Sequence, residues 1–377
     1  MAHSLTDLRV RQLRLRAQRL HPQQARSITS VAQLLSEICG LQAQDQAAAN
    51  LAVRARSAAL TASDIERARL EERSIVRTWL MRGTLHLVAA EDVRWLLALL
   101  GPIFAQAGRR RRAQLGLDDD ASAKGVRVIR EALAGRGPLT RAEIAYALKQ
   151  RGIPAEGQAT IHLIGLAALQ GIVCQGPERN AEPAYILLDD WIDRKLVRPA
   201  DAGQVELARR FVAAYGPVGP DDLAYWSGLP TAQARTAWRL IGDELIEVKV
   251  AGQPVWLLES RADWLNESAA RASIVRLLPA FDTYWLGYRD RAVALSPKYA
   301  KRVHPGGGII HPALVVDGRA RGTWRSKRKR RGVDVVVEPF EALPSVTRRD
   351  LDAEVADLAR FLGVEATLSI APPPNTS

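Results

Sequence analysis

The chain has 377 residues, a formal net charge of +12 and a pI near 10.1. Its 47% hydrophobic and 25% charged residues exclude a disordered chain. Two cysteines, Cys39 and Cys174, exclude a disulfide framework and a four-cysteine zinc site. The length predicts roughly two to four domains.

The longest apolar run, Trp95 to Ala105, is broken by Gly101 and Pro102 and falls short of the ~20 residues a bilayer needs. The N-terminus has no apolar signal core. We therefore expect a cytoplasmic protein with no membrane partner. Lys and Arg total 53 against 41 Asp and Glu, and eight of those cations are lysine. GC-rich codon usage accounts for the preference for arginine. It does not account for the sign, which points to a polyanionic partner.

In chain order, Leu5, Leu8, Leu13 and Leu20 stand at near-helical spacing. Val31 to Ile38 forms a short helix that stops at Gly40, a C-cap residue. Asp45 then caps an alanine-rich helix reaching about Ser57, and Thr61 or Ser63 caps another. Two β-type runs follow, Ile75 to Leu80 and Thr84 to Val88, joined by Met81-Arg82-Gly83. Helix, turn, helix and hairpin is the order of a winged helix.

The order recurs. Gly137, Pro138, Ala145 and Tyr146 return as Gly216, Pro217, Ala224 and Tyr225, at an offset of 79. Each copy continues into a second helix, about 155–170 and 231–241, and then a strand pair. A period this long means duplicated domains rather than a solenoid. After Ser273 come short β-type runs: 274–280, 293–295, 309–316, 319–324 and 333–338. A final helix spans about 348–362, and the proline-rich 371–377 reads as a frayed tail.

The expected fold class is mainly α with β wings (α+β): tandem winged helices plus a small C-terminal β-rich domain. The expected limits are 1–118, 119–198 and 199–272 for three winged helices, and 273–370 for the β-rich domain.

The densest charge is Arg321, Arg325, Lys327, Arg328, Lys329, Arg330 and Arg331, a stretch with no acid. Set between two β-type runs, it reads as a hairpin tip suited to phosphate or minor-groove contact, or as a solvated loop. Arg109 to Arg112 lies on a helix and divides between contact and solvent. The six histidines show no metal-binding spacing, and no phosphate-loop or nucleophile-elbow motif occurs. We therefore expect no metal and no cofactor.

The most unusual polar cluster is Gly40-Leu41-Gln42-Ala43-Gln44-Asp45, between two helices. In an extended turn residues two apart share a side, so Gln42 and Gln44 either act together or are ordinary turn residues.

Leu41-Gln42-Ala43-Gln44-Asp45, with Ala52-Val53-Arg54-Ala55-Arg56 downstream, resembles the AlkZ/YcaQ-type DNA glycosylases, a winged-helix family. So do Thr78 to Leu87, Leu278 to Asp282 with Leu286 to Arg291, and Gly306-Gly307-Gly308 through Gly322 to Arg325. The resemblance spans about residues 8–362 and implies tandem winged helices with a C-terminal β domain. It also implies that Gln42-x-Gln44 is catalytic. This motif marks the branch that excises alkylated purines and unhooks azinomycin-type interstrand crosslinks, whereas QxD marks the YcaQ-like branch.

The implied protein is a monomeric bacterial DNA glycosylase acting on N7- or N3-alkylated purines in duplex DNA. Its place would be base excision repair or antibiotic self-resistance, beside the nucleoid. The rival reading is a winged-helix regulator without catalysis. A cationic purine is already a good leaving group, so an amide that orients water and one that stabilises the sugar suffice. Gln44 is assigned the first role and Gln42 the second. Asp45 is the helix cap or the base, and His86 a support residue or a core histidine. Trp79 and Arg82 belong to the hairpin that the resemblance places along the DNA, although Trp79 also reads as core.

Overall fold

In the computed structural model, residues 3–192, 200–267 and 273–374 are described. The domain limits expected at 198/199 and 272/273, and the end of the expected tail, 375–377, lie outside them. The chain divides into two compact units. One is Glu66–Gln204; the other joins Met1–Ile65 to Val205–Ser377.

Within Glu66–Gln204, Ile75–Trp79 and Leu85–Ala89 pair as an antiparallel hairpin. The sheet continues through Val173–Gln175 and Ala184–Leu187 to Leu139–Thr140. Helix Ala159–Leu169 is apolar on nearly every face because it runs through the middle of this unit's core. Gly101 permits its closest crossing: a Cβ there would stand 2.1 Å from the Leu169 carbonyl oxygen. Thr140 and Glu143 form a reciprocal capping box at the head of Arg141–Gln150.

The repeat at an offset of 79 is real in space. Pro220–Ser227 and Thr231–Leu240 precede the antiparallel strands Leu245–Val250 and Gln253–Leu258. The residue after each Gly-Pro pair bonds to the second wing strand: Leu139 pairs with Tyr185, and Val218 with Trp256. Tyr146 and Tyr225, at matching positions, are both exposed.

The C-terminal sheet has five strands in sequence order: Val275–Leu278, Ala313–Val316, Arg319–Lys329, Gly332–Pro339 and Glu365–Ile370. The first four are antiparallel and the last is parallel. Helix Ser345–Leu362 packs Leu351, Val355 and Leu358 on Leu277, Trp324 and Val335. The opposite face buries Leu278, Ala313, Val315 and Ala320 among Trp285, Phe340 and Leu15. A sheet buried on both faces at its base is a fixed platform for the strands that extend beyond it.

Four expectations change. Leu5 is not helical; His3–Leu5 is a strand parallel to Leu245–Val250, and the helix begins at Asp7 behind the Thr6 cap. Residues 293–295 form a turn, in which the Ala294 and Leu295 amides both bond the Arg291 carbonyl. Glu365–Ile370 is an additional strand. The basic stretch is a hairpin, as one of its two readings has it, but most of it is strand rather than tip. Gly322 to Lys329 are in register with Gly332 to Pro339, and Arg330-Arg331 alone make the turn.

Candidate active site and nucleic-acid interface

Helix Val31–Glu37 ends through two left-handed residues, Cys39 at φ 58° and Gly40 at φ 89°. Glycine makes the second of these inexpensive. The Gly40 amide returns to the Leu35 carbonyl at 2.8 Å, so the chain leaves at a sharp angle. The exit is extended, and burial alternates along it. Leu41 and Ala43 are buried, Gln42 is half-buried and Gln44 is exposed. The two amides therefore share the outward side while the apolar pair anchors the turn.

Asp45 ends the turn. Its Oδ1 accepts the Ala48 amide at 3.1 Å, the N-cap bond of helix Gln46–Ala55. The far end of that helix is held by two buried arginines. Arg56 makes a forked pair with Asp282, 2.7 and 2.8 Å to its two oxygens, and also donates to Gln18 and Thr283. Both partners of this pair are fully buried. Arg54 donates to Glu354, Asp357 and the Leu277 carbonyl. Burial pushes the Glu354 carboxyl up, but Arg54 and Arg276 outweigh it and hold that group below its ordinary range.

Trp79, Arg82 and His86 lie on the hairpin of the other unit. Arg82, at φ 55°, and Gly83, at φ 68°, are both left-handed and turn the chain between the strands. Trp79 packs on Tyr185 with ring centroids 6.3 Å apart, and one side of it closes on Gly165. Trp79 and Arg82 also line a cleft of about 340 Å³ with Phe104, Arg112 and His162. His86 is buried, and its Nδ1 lies 3.0 Å from the Thr84 carbonyl oxygen. Burial, and then Arg82, push its pKa down to about 3 against that hydrogen bond, so the ring is neutral.

The charged hairpin has a bulge at its base, between Ala320 and Gly322, and pairs regularly beyond it. On strand Arg319–Lys329, Ala320, Gly322 and Trp324 are buried, Ala320 in the core on one face of the sheet and Trp324 in the core on the other. Beyond the bulge, Arg325, Lys327 and Lys329 occupy alternate positions and share the face opposite Trp324. Arg325 pairs with Glu338 at 3.4 Å and Lys329 with Asp334 at 2.5 Å. Arg328, Arg330 and Arg331 are exposed and make no ion pair among the described residues. The four-arginine run is less available: Arg112 is buried and donates to the Ala105 carbonyl, while Arg109 pairs with Asp119.

Sequence reasoning missed the internal role of Arg54 and Arg56. Two arginines in an alanine-rich helix were the available signal, but their acidic partners lie more than 200 residues away. Among the described residues, no cluster of three His, Cys, Asp or Glu could hold a metal ion, and no helix is long and apolar enough to cross a membrane.

A family described as DNA glycosylase AlkZ-like matches residues 35–361. The interstrand DNA cross-link repair glycosylase of Streptomyces sahachiroi is 29% identical over 368 residues, covering 93% of this chain and 95% of that protein. The solved structure of the Streptomyces sahachiroi DNA glycosylase AlkZ superposes with a TM-score of 0.83 at 26% identity, covering 98% of this chain and all of that one. Winged helices, the C-terminal sheet and these likenesses together define an enzyme of the DNA glycosylase class. Within that class, the chain belongs to the AlkZ-like family.

Proposed function

We propose that this glycosylase hydrolyses the N-glycosidic bond of N7- or N3-alkylated purines in duplex DNA and unhooks interstrand crosslinks built on such bases. The observation that carries the reading is the outward pair Gln42 and Gln44 on a turn fixed at both ends. The crosslink substrate is supported by the printed name of the Streptomyces relative.

An alkylated purine carries its own positive charge and departs as a neutral base with the C1′–N electron pair. The Gln44 amide oxygen orients a water toward C1′. The water oxygen forms the new bond and loses its proton to solvent. Gln42, half-buried and so better held, turns its carbonyl dipole toward the developing oxocarbenium charge. An undamaged purine would need an acid to leave. Neither amide can protonate it, and the Asp45 carboxylate is an acceptor in the cap. The chemistry thus selects cationic bases.

Arg321, Arg325 and Lys327 to Arg331 hold the duplex through its phosphates, with Trp79 and Arg82 contributing from the other hairpin. The enzyme acts as a monomer in the bacterial cytoplasm, with no metal or cofactor. Single-turnover release of N7-methylguanine from a duplex tests the assignment. Gln44→Ala should slow release about 100-fold, while its affinity for the same duplex holds. Unaltered release would remove Gln44 from the mechanism.

A further inference from the structure

A cleft of about 480 Å³ opens beside the base of the charged hairpin, and none of Leu41 to Asp45 lines it. Its walls are the turn at Ser296 to Tyr299, the start of strand Arg319–Lys329, and the head of helix Ser345–Leu362. Tyr299 and Phe340, stacked with centroids 4.5 Å apart, form an aromatic side.

Three cations converge on this space: Lys298, Arg319 and Arg321. The two arginines flank Ala320, where a bulge breaks the pairing with Ala313–Val316, and both line the cleft. Arg11 stands behind them, donating to the Asp317 and Val293 carbonyls. Burial, and then the charges of Arg319 and Arg321, lower its pKa against the opposing influence of Tyr284. Crowded positive charge has that effect.

The acids at the cleft are already engaged. Asp317 accepts the Ile274 amide at 2.8 Å and the Ser273 hydroxyl at 3.1 Å. Glu341 accepts the Tyr299 hydroxyl at 2.9 Å and stands 3.9 Å from Arg321. The helix head adds donors to the cationic wall. Its first backbone bond runs from Arg348 to the Pro344 carbonyl, so the amides of Ser345, Val346 and Thr347 precede the ladder. No side chain caps them, and the first turn carries no acid.

We propose that this cleft is a phosphoryl-binding site that seats one backbone phosphate of the bound duplex. The proposal rests on the reading of the hairpin as a DNA contact and adds a register to it. A phosphate held at the hairpin's base fixes where along the duplex the tip arrives. The shared chemistry is a phosphoryl oxyanion; its source is the duplex backbone or a free phosphate monoester.

The full chain is titrated with duplex DNA over a range of salt. Lys298→Gln/Arg319→Gln should make the slope of log affinity against log salt shallower by about 1, the share of one phosphate. Glu341→Gln, which removes the opposing charge, should tighten binding. A tip variant, Lys327→Gln/Arg328→Gln/Arg330→Gln, runs in parallel. If the tip variant keeps the full slope, the hairpin reading fails, whatever the cleft does.

Calorimetry with inorganic phosphate and with deoxyadenosine monophosphate separates the two sources. Binding abolished in the cleft variant, with its duplex slope unchanged, assigns the site to a free monoester and overturns the backbone register. No change of slope and no phosphate binding overturns the site. Lys298 stands on an exposed turn, so Lys298→Gln alone serves if the double variant does not fold.

Discussion

Asp45 separates two mechanisms by a single side-chain bond. A carboxylate beside the two amides is the obvious base, yet its Oδ1 holds the Ala48 amide at the head of helix Gln46–Ala55. Asparagine caps a helix as well as aspartate and cannot accept a proton at neutral pH. We expect Asp45→Asn to release N7-methylguanine within a few-fold of wild type, and Asp45→Ala to lose about 1 kcal/mol of stability. Loss of release in the asparagine variant as deep as in Gln44→Ala would make Asp45 the base. The turn was legible in the sequence because it needed only local rules. Glycine ends one helix, aspartate opens the next, and alternation between them sets which side chains face outward. His86 was not legible. Its burial and its neutral charge depend on the hairpin packed around it.

Helix Gln46–Ala55 carries the turn at one end and the buried arginines at the other. Arg54 and Arg56 fasten it to the C-terminal sheet and to the Asp282 turn. A buried forked pair adds little net stability, but removing one partner leaves an uncompensated charge. Asp282→Asn should therefore cost about 3–5 kcal/mol in denaturant unfolding of its unit. Glu338→Gln, which breaks the exposed pair with Arg325, should cost at most about 1 kcal/mol. Equal losses would mean that Asp282 is not the anchor its geometry indicates.

Helices and wings were largely readable from periodicity at this scale. The strand Glu365–Ile370 was readable too, because Ala366, Leu368 and Ile370 alternate with Glu365, Thr367 and Ser369. A boundary drawn straight from the last helix to the proline tail passes over it. His3–Leu5 had no such signal, since three residues cannot show a period and its partner strand begins at Leu245. The basic stretch offered a hairpin through the β-type runs on either side of it, but not how far the strands reach. Arginine and lysine describe a solvated loop as well as they describe a strand, and the register with Gly332–Pro339 decides between them.

The molecule's charge of +12 divides into internal and external parts. Arg14, Arg54, Arg56, Arg69 and Arg112 are buried, so part of the arginine excess builds the fold rather than meeting DNA. The same arginine content shapes the response to acid. His86 is driven to about 3 by burial and Arg82. His21, His162 and His304 are lowered as well, in each case first by burial and then by neighbouring arginines. In the unfolded chain these rings take a proton near pH 6.5. The native state refuses it until lower pH, so the unfolded state binds more protons below 6.5. Stability is then complete above about 6.5 and falls as pH drops toward the folded values. For His86 alone the slope approaches about 1.4 kcal/mol per pH unit. Carboxylates such as Glu354 begin to matter only below about 5, so pH 6.5 to 5 isolates the histidines. Denaturant unfolding across that window should show the loss. His86→Gln should lower stability at pH 7.5 but flatten the pH slope by close to one proton. Parallel curves for the two proteins between pH 6.5 and 5 would show that His86 takes up its proton in the folded state.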